Sequence, residues 1–151
     1  FVQSIVFFIA QNTTAQQPGR VHTGLREGRR ILFFYSLLVA ALCIGLNGPL
    51  LRLFTTDAAA AAYGSTMLAF EGISYVFTAQ KHLCEARLRG AQKMGLYLAS
   101  NLGQIGLNLA ACVLLVPRIG FSGFWLSTWI SAPVGLALAA LLARIGAKQQ
   151  S

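Results

Sequence analysis

Apolar residues fall in five blocks along this chain, separated by short polar or basic stretches. Four blocks, residues 31–54, 63–83, 95–116 and 121–143, are each long enough for a helix that crosses the ~30 Å hydrocarbon of a bilayer. The first block, Phe1 to Ala10, is too short to span by itself. It is expected to be the inner end of a transmembrane helix that begins upstream, in a chain that opens without Met. Residues 11–30 and 84–94 then read as loops, the first punctuated by Pro18-Gly19. From about Arg20 that loop has a second reading, as a short amphipathic helix on the membrane surface. The predicted fold class is all-α, a polytopic transmembrane helix bundle.

Patterning inside the blocks assigns faces. From Gly95 to Val116 the chain runs 22 residues without a charge. Tyr97, Asn101, Gln104 and Asn108 recur there at helical spacing and share a narrow face. Gly95, Ala99, Gly103, Gly106 and Ala110 lie roughly opposite and predict a surface that a neighbouring helix approaches closely. A lipid-surrounded helix has no use for three amides, so this helix is expected inside a bundle. In the last block Gly123, Ser127, Ser131, Gly135 and Ala139 stand at every fourth position and predict a second close-packing ridge. Pro133 is a candidate kink, and Trp125, Trp129 and Tyr97 are expected as interface anchors. Asn47-Gly48-Pro49 is expected to bend the second block, Asp57 to cap the helix that follows, and Pro117 to Gly120 to form a tight turn.

Composition supports the membrane reading. Charged residues make up 11% of the chain, against about a quarter in soluble domains. The net charge of +8 raises nucleic-acid binding as one reading, but the basic residues sit beside apolar runs, as loop charges of a membrane protein do. No nucleic-acid partner is therefore expected. Arg20, Arg26, Arg29 and Arg30 lie in the first loop, and Lys81, Arg87, Arg89 and Lys93 in the third. The second and fourth hold only Arg52 and Arg118. This alternation predicts that residues 11–30, 84–94 and the C-terminus are cytoplasmic. Cys43, Cys84 and Cys112 match no metal spacing, and no nucleophile–base motif or phosphate loop supports an enzyme. Neither metal nor organic cofactor is expected.

Glu71 is the sharpest candidate residue, because an ionisable group within a span is costly and marks ion or substrate pathways. It has three possible uses: binding the coupling ion, binding a cationic substrate or carrying a proton. The bland reading puts it near enough to the outer interface to be solvated. Asn101, Gln104 and Asn108 either line a cavity with it or tie helices together. With neighbouring antiparallel helices, Glu71 and Asn108 are expected at similar depth, facing one cavity. His82 and Glu85, at i, i+3, read as an interfacial ion pair.

Three segments resemble the C-terminal lobe of the MATE (multidrug and toxic compound extrusion) transporters: FIAQNTTAQQPGRVHTGLR from Phe8 to Arg26, LRGA from Leu88 to Ala91, and GFSGFWLSTWIS from Gly120 to Ser131. Their order and spacing cover nearly the whole chain. The resemblance implies part of a six-helix lobe in a twelve-helix transporter, with the N-terminal lobe elsewhere in the same protein. It implies sodium- or proton-driven export of a small-molecule substrate from a bacterial plasma membrane. The chain departs from the family pattern at Gln92-Lys93, where an acid is usual, and at Thr78, near an acidic position of some members. Its segment KHLCEAR (Lys81 to Arg87) is also unusually charged. A lipid-linked oligosaccharide flippase of the same superfamily is the neighbouring reading, and a membrane scaffold without transport is one from a different class.

Overall fold

A computed structural model describes residues 1–148. Among the described residues are six helices: α1 (Val2–Thr14), α2 (Pro18–Gly45), α3 (Asn47–Arg52), α4 (Ala58–Gly90), α5 (Met94–Ile119) and α6 (Ser122–Lys148). Among the described residues, α2, α5 and α6 are long and apolar enough to cross a membrane. Helix α4 is longer still, at 33 residues, but its second half is charged.

The segments read as loops are largely helical. Residues 11–30 hold only a short turn between α1 and α2. Asn12 is buried and donates from Nδ2 to the Phe8 carbonyl at 2.8 Å, while Gln17 N–H donates to the Asn12 carbonyl at 2.9 Å. Gln16 takes φ 51° to reverse the chain. Pro18 then opens α2, where its fixed φ suits a first turn and its missing N–H is not needed. The arginine-rich stretch simply continues into the apolar span as one helix. Residues 84–90 likewise extend α4 rather than leaving it.

Most of the expected punctuation is present. Asp57 accepts from Ala59 N–H at 2.9 Å and caps α4. Asn47-Gly48-Pro49 opens α3 after a break at Leu46. Pro117 to Ile119, expected in a tight turn, instead remain in α5, and the chain reverses at Gly120, φ 67°.

The helices pack in the order α5, α6, α4, α2, with α1 lying against both α2 and α4. The α6 ridge behaves as its spacing predicts: Gly123, Ser127, Ser131, Gly135 and Ala139 are all buried. A Cβ on Gly123 would stand 2.7 Å from the Leu115 backbone, and one on Gly135 2.7 Å from Gln104. The face of α5 that meets this ridge is the amide face. Most of the opposite face, Gly95 to Ala110, is open: a Cβ added at Gly95 or Gly106 would find nothing within 4 Å, whereas one at Gly103 would stand 2.7 Å from Leu138 Cδ2 of α6. Small residues permit close approach without requiring it, whereas amides need partners.

Aromatic placement departs from expectation at Trp125. It is 5% exposed and packs edge-on against Phe121 and beside Tyr63, a core position rather than an interface anchor. Trp129 remains exposed and meets Phe70 edge-on.

Candidate functional site

The charged half of α4 forms the site. Glu71, Thr78 and Glu85 recur every seven residues, and His82 and Arg89 repeat the same interval four residues on. At 3.6 residues per turn these five positions make one stripe along the helix. Phe70 meets α6 through Trp129, and Gly72 meets α2 at Cys43 and Ala40. Glu71 therefore lies between those two contact lines. It is half-buried, with no hydrogen-bond partner among the described residues.

Lower on the stripe the charges are paired. Lys81 Nζ lies 2.8 Å from Glu85 Oε1, and their side chains are 4% and 3% exposed. Ser100 on α5 donates to the same oxygen at 3.0 Å. Lys81 also donates to Asn101 Oδ1 at 3.4 Å. His82 Nδ1 stands 3.3 Å from Glu85 Oε2, with its ring half in solvent. The expected His82–Glu85 pair is thus present, but it is the outer edge of a buried four-residue network. A carboxylate so enclosed persists only when charge and hydrogen bonds replace water. Glu85 lies beyond the 63–83 span. Burial pushes its carboxyl up, but hydrogen bonds from His82 and Lys81, the Lys81 charge and the Ser100 hydroxyl outweigh that and hold it below the usual carboxylate range.

The LRGA signature closes the same end. Leu88 is buried against Ala139 and Ala143 of α6. Arg89 lies 5.3 Å from the centre of the Tyr97 ring, so Tyr97 holds α4 to α5 instead of acting as a lone interface anchor. Gly90 is where α1 crosses: a Cβ there would stand 2.6 Å from Ile9 Cβ and 2.9 Å from the Val6 carbonyl oxygen.

The three amides separate. Asn101 joins the Lys81 network and donates from Nδ2 to the Tyr97 carbonyl at 3.1 Å. Gln104 packs against Gly135, and Asn108 donates to Ser131 Oγ at 3.0 Å. The polar contacts between α4 and α5 all fall within residues 81–89 and 97–101 among those described. Farther along, α6 stands between the two helices. Asn108 turns into the α5–α6 seam, and it shares no hydrogen bond with Glu71 among the described residues. Lys81 and Ser100 join the site without having been singled out by residue type, although the i, i+4 spacing of Lys81 and Glu85 is visible in the chain.

Three helices long and apolar enough to cross a bilayer, beside one that carries a stripe of ionisable groups, mark an integral membrane protein. The chain belongs to the MatE family, whose sequence model matches residues 3–114. It is 32% identical to the probable multidrug resistance protein NorM of Chromobacterium violaceum (strain ATCC 12472), over 97% of this chain and 36% of that protein. The chain thus spans about a third of the length of the curated relative it matches. No solved structure matches it significantly.

Proposed function

We propose that this chain is part of a secondary active exporter that moves small organic molecules by alternating access, coupled to entry of a cation. The observation that carries this reading is the α4 stripe, in which Glu71 alone among the carboxylates lacks a partner among the described residues. Glu85 already has an ammonium at 2.8 Å, in the place a coupling Na+ would take. Glu71 is the carboxylate left to exchange a proton or Na+, or to hold a cationic substrate. The relative's name, a probable multidrug resistance protein, supports an organic substrate. Proteoliposomes with an imposed cation gradient and a fluorescent organic cation test this. The native protein should export the dye only with the gradient, and Glu71→Gln should fall below about a tenth of that rate while folding normally. Gradient-independent behaviour of the native protein sinks the exporter reading, and full activity of Glu71→Gln sinks the role of Glu71.

The proposed location is a bacterial plasma membrane, with the α1–α2 turn, the α4–α5 turn and the C-terminus on the cytoplasmic side, as the basic residues favour. After replacement of Cys43, Cys84 and Cys112, a cysteine placed at Ala15 should resist an impermeant thiol reagent outside intact cells. One placed at Ala59 should react. The reverse labelling pattern overturns the orientation.

A further inference from the structure

A cleft of about 260 Å³ opens between α2 and α4, away from the Glu85 side of the stripe. Its polar wall is His22, Arg26, Arg29 and Arg87, and Leu25, Leu83 and Cys84 form its apolar floor. Arg26 is partly neutralised by Glu27 at 3.3 Å. Arg29 and Arg87 have no carboxylate within ion-pair distance among the described residues. The nearby Glu85 is already neutralised by Lys81. Cys84 does not compensate either, because burial pushes its thiol up more than Arg29 and Arg87 pull it down.

The walls are held in place. Gln80 donates to the Arg29 carbonyl at 3.3 Å, and Gly28 packs against Ile5 and Leu83. The cleft also sits at a boundary. Arg29 and Arg30 are followed directly by Ile31, Phe33 and Phe34, which are 53%, 43% and 67% exposed. A ligand seated on the arginines would have an apolar surface beginning within one turn of α2.

We propose that this cleft binds the phosphate of an anionic phospholipid, with the arginines on the head group and the acyl chains along exposed α2. Planar guanidinium groups suit phosphate oxygens, and basic clefts between membrane helices hold acidic head groups. The adjoining apolar face favours a lipid over free phosphate. The site is independent of the Glu71 reading, since it lies on a different face of α4.

Native mass spectrometry of the protein released from nanodiscs tests this, with phosphatidylglycerol and phosphatidylcholine as probes. The native protein should retain phosphatidylglycerol in preference to phosphatidylcholine. Arg29→Gln with Arg87→Gln should weaken that retention roughly 30-fold, at about fivefold per arginine. Arg118→Gln, at the opposite end of α5, should leave it unchanged. Should the double variant misfold, Arg29→Gln alone carries the test, because that side chain is exposed. Equal retention of both lipids, or unchanged retention in the variants, overturns the proposal. Binding of millimolar inorganic phosphate without lipid preference overturns the lipid assignment.

Discussion

Lys81→Met is expected to lower the thermal unfolding midpoint of the purified protein by about 10 °C. The substitution keeps the length of the side chain but removes the ammonium 2.8 Å from Glu85. The carboxylate would remain enclosed, with Ser100 and the half-exposed His82 as its remaining partners. Stranding one member of a buried pair costs about 3–5 kcal/mol. Replacing both members, Lys81→Met with Glu85→Leu, should recover most of that loss, because a well-packed apolar pair of similar volume has no charge to desolvate. A midpoint within about 2 °C of native for Lys81→Met would show that water reaches the pair.

The same network makes a pH prediction. Glu85 is held below the usual carboxylate range, with burial opposing that shift and the hydrogen bonds and Lys81 charge exceeding it. A depressed folded value means that the unfolded state binds the proton more readily. The stabilisation is therefore full above the ordinary carboxylate range, around pH ~4.3, and is lost as pH falls through the lower folded value. Glu85→Gln should flatten the acid limb of the stability profile and lower the plateau above it, because Lys81 is then buried without its carboxylate. An acid limb identical to native would remove Glu85 as its cause.

Gly90→Ala should loosen α1, and Gly90→Leu should prevent its docking. The added Cβ meets Ile9 Cβ at 2.6 Å, Ile9 Cγ2 at 2.7 Å and the Val6 carbonyl oxygen at 2.9 Å. The oxygen is backbone, so relief requires shifting α1 and not merely changing a rotamer. Overpacking of this kind costs about 1–3 kcal/mol, and the larger leucine should exceed that range. Gly95→Ala is the contrasting case. Nothing lies within 4 Å of its Cβ position, so the gain in helix propensity should stabilise by about 0.5–1 kcal/mol. Thermal unfolding, with proteolysis at the exposed Ala15–Gln17 turn, reads both effects. Native-like resistance of Gly90→Ala would refute the crossing geometry.

Family signatures acquire physical content in this structure. In LRGA, Leu88 fills the α4–α6 contact, Arg89 stacks on Tyr97 and Gly90 admits α1. In the Phe8 to Arg26 segment, Asn12 and Gln17 shape the turn, Pro18 starts α2, and Gly24 leaves room for the Phe8 ring.

Properties that depend on one helix at a time are legible in the chain alone. Apolar run length predicted the cores of the long helices, since bilayer thickness sets how many residues a span needs. Four-residue spacing identified the α6 ridge, and Asp57, the Asn47-Gly48-Pro49 break and Gly120 marked helix boundaries through backbone chemistry alone. Which faces meet is set by the packing of separate helices. Periodicity shows that α5 has an amide face and a small-residue face, but not that α6 takes the amide face and reaches the other at Gly103 while leaving Gly95 and Gly106 open. It places Glu71 and Asn108 at comparable distances along their helices, but not α6 between them. It shows Lys81, His82 and Glu85 as neighbours on α4, yet their partition into a buried pair and a half-exposed ring depends on Ser100 and Asn101. Those residues approach from another helix. A face is a property of local geometry, whereas a partner depends on where separate helices pack, and that comes from summed contacts distant in sequence.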